Sequence, residues 1–268
     1  MVSFERGGTV RRMALFLMIF ALMLPCFADV DWANFILRES TTDQKLVLGL
    51  LRDELYGLQY DAQTRVGDLL RKNPDQEERV TELLNHYISD QHYLTDGTME
   101  YGYELSLLPG IIAEIMPAQQ SIQLVVPMLC PICKQEWPPD QKPPEGITLI
   151  PKDNEISDFS GIIIDCRDFA LTPCLFPKIF NESMLEAFSS DFADAHYVIR
   201  RGLAGYYGDE TEAESRIGEN PLVIRALGVI GKKRTDIKIS SADTKRIHSS
   251  QNILNLLREC RVAIIFGQ

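Results

Sequence analysis

The chain has little histidine and tryptophan, and few basic residues for its acidity: four His, two Trp, and 27 Lys and Arg against 38 Asp and Glu. The net charge of −11 argues against nucleic acid as a partner, because phosphate binding needs a basic face that releases counterions. It equally disfavours attachment to anionic lipid by charge alone. No glycine-rich phosphate loop occurs and no nucleophile stands beside a base, so a catalytic site of the hydrolase kind is not expected. His86, His92, His196 and His248 are scattered without Cys-x-x-His spacing, so no metal site and no cofactor are expected. Beyond the N-terminus, no apolar run approaches the roughly 20 residues that cross a bilayer.

The N-terminus is of another character. Arg6, Arg11 and Arg12 precede an unbroken apolar run over residues 13–24, then Pro25, Cys26, Phe27 and Ala28. A positive start, a run too short to span and a small residue at the end describe a secretory signal peptide over residues 1–28, cut before Asp29. Acylation of Cys26 is the alternative and would tie the protein to a membrane, although Pro25 directly before it fits poorly. Either route exports the chain. Removing residues 1–28 takes away three basic residues and one acid and leaves a still more acidic protein, for which plain solubility accounts.

The remainder divides into two modules, residues 29–126 and 158–268, around a proline-rich joint at 127–157. In the first, Val47, Leu50, Leu51, Leu55, Leu58, Ala62, Val66, Leu69 and Leu70 recur at helical spacing and predict one helix over residues 45–70. Pro74 opens a second helix. A hairpin follows across Asp96-Gly97, its second strand alternating through Met99, Tyr101, Tyr103, Leu105 and Leu107. Residues 108–116 suit a short helix closed by Pro117. In the second module, Ile162 to Ile164 mark a buried strand. Further strands are expected at 175–180, 220–230, 236–240 and 261–266, and a helix at 241–259 capped by Ser241-Ala242-Asp243. The expected class is α+β, a helix-plus-hairpin module followed by a mixed α/β module.

Two groups of residues carry the candidate chemistry. The stretch PMLCPICKQEWPP (127–139) holds Cys130 and Cys133 two residues apart. A thioredoxin-type centre needs its first cysteine at a helix N-terminus, and Pro138-Pro139 leave room for barely one helical turn. A disulfide stiffening the joint is the favoured reading, with a redox pair as the alternative. Cys166 and Cys174 fit as small buried residues, and Cys260 as the odd one left free. The second group is Asp165 and Arg167. A carboxylate and a guanidinium on alternate residues at a strand end are a candidate binding pair, although an ion pair that anchors that end is the favoured reading. Asp165 with Asp168 or Asp243 would make an acid/base pair, but no nucleophile accompanies them.

The segments FSGIIIDCRDFALTPCLFPKIF (159–180), IGENPLVIRALGVIG (217–231), TDIKISSADTKRI (235–247) and LRECRVAIIF (257–266) resemble a module of exported bacterial proteins of uncharacterised function. Asp96-Gly97 and Leu107-Leu108-Pro109-Gly110-Ile111 resemble the corresponding segments of the Lpp-twenty family, the twenty-kilodalton lipoproteins of bacterial envelopes. The sequence departs from the pattern at Cys166 and Cys174, where alanine is usual, and at Asp168, where glycine is usual. The resemblance implies a non-catalytic envelope protein, periplasmic or associated with the outer membrane, whose partners are envelope proteins including flagellar components.

Overall fold

The computed structural model describes residues 29–120, 128–138, 141–151 and 158–267. The signal-peptide segment, Cys26 and parts of the proline-rich joint lie outside the described residues. The fold is α+β.

Strands β1 (Asp29–Asp31) and β2 (Ile36–Thr41) open the first module as an antiparallel pair. The Asp31 carboxylate makes the turn between them, accepting from the N–H groups of Ala33 (3.1 Å) and Asn34 (3.0 Å). Helix α1 (Val47–Gly57) buries Val47, Leu51 and Leu55, as its periodicity dictates. The single helix expected over 45–70 is broken after Gly57, where Leu58 is extended (ψ 139°). There the Asp61 carboxylate captures the N–H groups of Gln63 (2.8 Å) and Thr64 (2.7 Å). A short acidic side chain that satisfies the backbone locally competes with the helical ladder. The helix resumes as α2 (Val66–Leu70), and α3 (Pro74–Leu83) starts on its proline.

The expected hairpin forms from β3 (Ile88–Tyr93) and β4 (Met99–Ser106), with Gly97 in the left-handed region its turn requires (φ 83°). The sheet has the order β1-β2-β4-β3 and is antiparallel throughout. Helix α4 (Gly110–Ile115) presses Ile111, Ile112 and Ile115 into the core. In the joint, β5 (Met128–Leu129) and β6 (Ile150–Pro151) form a small antiparallel pair.

The second module begins with β7 (Gly161–Asp165), whose Ile162, Ile163 and Ile164 are all fully buried. Alternate residues point to opposite faces, so burial of all three means that both faces are covered. A hairpin of β8 (Ile179–Phe180) and β9 (Glu186–Phe188) follows, then α5 (Ala195–Arg201), β10 (Gly205–Tyr207), α6 (Glu210–Ile217) and β11 (Pro221–Arg225). The chain ends through β12 (Gly228–Ile230), β13 (Asp236–Lys238), α7 (Ser241–Ile247), α8 (Gln251–Arg258) and β14 (Val262–Ile265). One sheet is parallel, in the order β10-β14-β7-β11; a second has the order β12-β13-β8-β9.

Three expected elements divide or shrink. The strand at 220–230 becomes β11 and β12, because Ala226 donates to Asp165 O (2.9 Å) while Leu227 donates to Lys238 O (2.7 Å), in the other sheet. The helix at 241–259 splits into α7 and α8, each with its own serine cap, Ser240 and Ser250. The strand at 175–180 keeps only its last two residues. Its first two instead donate across to the first module, Leu175 to Gln59 O (3.0 Å) and Phe176 to Tyr60 O (2.9 Å).

That crossing joins the modules. The Tyr60 and Phe176 rings lie 4.9 Å apart, and Trp32 meets Tyr206 edge-on at 5.7 Å. One continuous apolar cluster runs from Phe35 and Leu37 through α1 and α4 to Ile164, Leu254 and Ile264. Burying side chains of this size contributes roughly 1.5–3 kcal/mol each. The Phe35 ring sits directly on Gly202, which has φ 72°, so glycine is required both for its backbone and for the space above it.

Arg216, in the last turn of α6, is buried. Its guanidinium donates to three main-chain carbonyls, of Arg201 (2.7 Å), Gly202 (2.7 Å) and Cys260 (3.1 Å). These carbonyls lie at the C-terminal ends of α5 and α8, where helices leave acceptors unsatisfied and partly negative. Desolvation lowers the arginine's pKa, as burial does for any cation. Arg216→Met keeps the volume but strands three acceptors, and is expected to destabilise the protein by about 3 kcal/mol or more. Urea unfolding followed by circular dichroism measures this. Arg216→Lys should recover only part of the loss, since a point charge cannot serve three acceptors in one plane.

Candidate functional site

Strands of a parallel sheet point their carboxyl ends at one edge, where ligands of α/β folds commonly bind. Here that edge carries the ends of β7, β11, β14 and β10, and with them Asp165, Arg225, Ile265 and Tyr207. Strand β7 stops at Asp165, and a turn closed by Phe169 N–H to Cys166 O (2.9 Å) brings Arg167 back onto the carboxylate. Arg167 then grips it at two points, Nε to Oδ1 (2.9 Å) and Nη2 to Oδ2 (2.7 Å), while its own N–H adds a third bond (3.1 Å). The turn, rather than the alternation of a continuing strand, sets this pairing.

The rest of the edge is likewise paired. Arg167 reaches Glu210 at 3.5 Å, and Arg225 holds Asp168 at 2.6 Å. Periodicity missed Arg225 and Glu210, which reach this edge only once β11 and α6 are folded beside β7; their one signal was their place at the end of NPLVIR and the start of α6. Asp243 is engaged by Ser240 and Arg246 at the start of α7. Asp165 is held below the ordinary carboxylate pKa, chiefly by the Arg167 side-chain hydrogen bonds, which outweigh partial burial.

The cysteines fall into two kinds. Cys166, Cys174 and Cys260 are buried, and desolvation pushes each thiol up to about 12. Tyr206 locks the Cys174 backbone, its hydroxyl donating to Cys174 O (3.0 Å) and accepting from Cys174 N–H (3.1 Å). Cys130 and Cys133 instead sit on a tight turn that follows β5. Cys130 N–H donates to Gln135 O and Lys134 N–H to Cys130 O, both at 2.9 Å, with Lys134 left-handed at φ 59°. Both thiols are free, Cys133 being exposed and Cys130 half-buried. The Cys130 thiol is lowered below its ordinary pKa, first by the backbone N–H of Cys133 and then by that of Ile132. The chain then returns along β5, Glu136 bridging Leu129, so loop amides supply the field that a helix supplies in thioredoxin-type centres.

His248 is half-buried. Its ring stacks on Phe192 (5.7 Å), Nε2 lies 2.8 Å from Ala187 O, and burial lowers its pKa. Among the described residues, no three His, Cys, Asp or Glu converge as a metal site, and no helix is long and apolar enough to cross a membrane. Two grooves lie away from the strand ends. One of about 530 Å³ is lined by Leu69, Lys72, Arg79 and Met116. Another of about 480 Å³ lies beside β3, lined by Arg38, Ile88, Asp90, His92 and Glu104.

The Asp165–Arg167 pair has a pH signature. Asp165 ionises more readily folded than unfolded, so it contributes stability above the unfolded aspartate pKa of about 3.9. That contribution is lost as pH falls through the lower folded value. The stability gap between the wild type and Arg167→Gln should therefore be level near neutrality and narrow in acid; a gap that stays constant would remove the pair from the acid response. Added salt should shrink it too, since Arg167 is exposed.

No curated protein matches this chain. Residues 161–268, from the first residue of β7 onward, match the family model of the second domain of Treponema pallidum Tp0624, a bacterial protein, and the parallel sheet and the paired edge lie within the matched residues.

Proposed function

We propose that the chain is an exported, non-catalytic protein of the bacterial cell envelope that acts as a scaffold or binding module through protein contacts. The observation that carries this reading is the strand-end edge, where Arg167 is spent on Asp165 and Arg225 on Asp168. Groups committed to one another in this way anchor the turn and the sheet rather than wait for a substrate. The three buried thiols agree with it, because a thiol at about 12 offers almost no thiolate at neutral pH.

The sequence supports the location. The residues before Asp29 have the form of an export signal, and the likeness to Lpp-twenty proteins favours envelope proteins, including flagellar components, as partners. The native mass of protein recovered from its own envelope tests this directly. A chain beginning at Asp29 is expected for a periplasmic protein, and diacylglycerol on Cys26 for one held at the outer membrane. An uncut chain in the cytosol would overturn export. Crosslinking in cells should recover an envelope partner; a protein that crosslinks to nothing in any envelope fraction would count against a scaffold.

A second reading, a thiol–disulfide enzyme, rests on the lowered Cys130 thiol beside exposed Cys133. Iodoacetamide labelling of the reduced protein at mildly acidic pH, read by mass spectrometry, separates the two. Cys130 is expected to react first, with Cys166, Cys174 and Cys260 protected until unfolding. Labelling of Cys130 at the rate of an ordinary cysteine would sink the enzyme reading.

A further inference from the structure

Strand β3 is the outermost strand of its sheet among the described residues, and all six of its residues are exposed. Ile88 is 71% exposed, Tyr93 77% and neighbouring Leu94 39%. Exposed edges are usually blunted by charge, proline or a bulge; β3 carries no proline, lysine or bulge, and Asp90 is its one acidic residue.

The hairpin fixes which backbone groups the edge offers. In an antiparallel pair, residues that exchange hydrogen bonds alternate with residues that do not. Leu94 N–H donates to Thr98 O at 2.8 Å, so Leu94 is of the bonded kind. Counting back in twos along the register, so are His92 opposite Glu100, Asp90 opposite Gly102 and Ile88 opposite Glu104. The other side of β4 agrees. Leu107 N–H donates to Phe35 O at 2.8 Å, which turns the odd-numbered residues of β4 toward β2 and leaves its even-numbered ones for β3. Ser89, Gln91 and Tyr93 therefore point their N–H and C=O groups outward.

We propose that this edge pairs with the same edge of a second copy of the chain, antiparallel, about a twofold axis through Gln91. A twofold perpendicular to the sheet keeps every side chain on its own face, so only registers that oppose residues of like parity are open. Centred on Asp90, the pairing would set two carboxylates face to face; centred on His92, it would set two imidazoles face to face. Centred on Gln91, it opposes each Asp90 to the partner's His92 and each Ile88 to the partner's Leu94. These are the non-bonded positions, where Cα atoms approach to about 4.5 Å and side chains interact most closely. The outward groups of Ser89, Gln91 and Tyr93 meet their counterparts in the same register. Within one copy the Asp90 carboxylate already lies 3.1 Å from the His92 ring, so the pairing builds a four-membered cluster in which carboxylates and imidazoles alternate. The inference does not depend on where the protein resides.

Light scattering of the purified full chain under reducing conditions, across micromolar to sub-millimolar concentrations, tests it. The wild type is expected to pass from monomer to dimer, and a monomer throughout would overturn the proposal. Gln91→Pro removes the central outward N–H, whose bond inside the chain is an exposed one to the neighbouring Asp90 carboxylate (2.7 Å), and should be a folded monomer by circular dichroism. Asp90→Arg and His92→Asp, each alone, should weaken the dimer about tenfold or more, and the double variant should restore it. A dimer of wild-type strength in Gln91→Pro would place the contact on another face. Failure of the double variant to recover what both single variants lost would overturn the register.

Discussion

Arg216 places a cation inside the second module and gives it three main-chain carbonyls as acceptors. A buried charge is tolerated only when its donors are met, and a planar guanidinium can meet several acceptors in one plane at once. The acceptors it meets are the ends of two helices that would otherwise leave carbonyls stranded in an apolar interior. One side chain thus closes α5, α6 and α8 around a point behind the parallel sheet. Gly202, one of the three acceptors, is also the surface on which Phe35 of the first module rests. The clamp in one module consequently supports the floor on which the other is seated.

Polar groups throughout the described chain are used in the same manner. Asp31, Asp61, Asp209 and Ser250 tie turns and helix starts, and Asp165 and Arg167 close the end of β7. Tyr206 braces the Cys174 backbone. This architecture spends its hydrogen-bonding capacity on holding irregular connections between short elements. Two regions stand apart. The turn of Cys130 and Cys133 presents a thiol whose pKa the loop amides lower, and β3 presents an open edge among the described residues. The first lies in the proline-rich joint, and the second at the open side of a sheet whose next strand, β4, buries Tyr103 and Leu105 in the core.

Elements whose residues bury one face on their own were legible in the sequence. The 3.6-residue pattern of α1, the proline start of α3, the Asp96-Gly97 hairpin and the Ile162 to Ile164 strand all follow from local chemistry. The places where expectation failed share one cause: a competing partner distant in sequence or a polar side chain nearby. Asp61 broke the long helix by satisfying two N–H groups itself. Gln59 and Tyr60 took the hydrogen bonds that 175–176 would have given to a sheet. Strands β1 and β2 carry too few apolar residues for alternation to register, and β2 is fixed by pairing with β4, distant in sequence. At the candidate site, Asp165 and Arg167 were visible as a pair, whereas Arg225 and Glu210 were not.

The sequence by itself determined the class of the fold, the identity of the central buried strand, the acidic surface and the two cysteines set apart on a proline-rich turn. Each of these depends on composition or on spacing within a few residues. Only the tertiary structure decided that the two modules share one core, that Arg216 is buried, and that the strand-end charges neutralise one another. Those outcomes depend on which helix ends and strand ends arrive side by side, and the free energy that brings them together is gained only when the whole core closes.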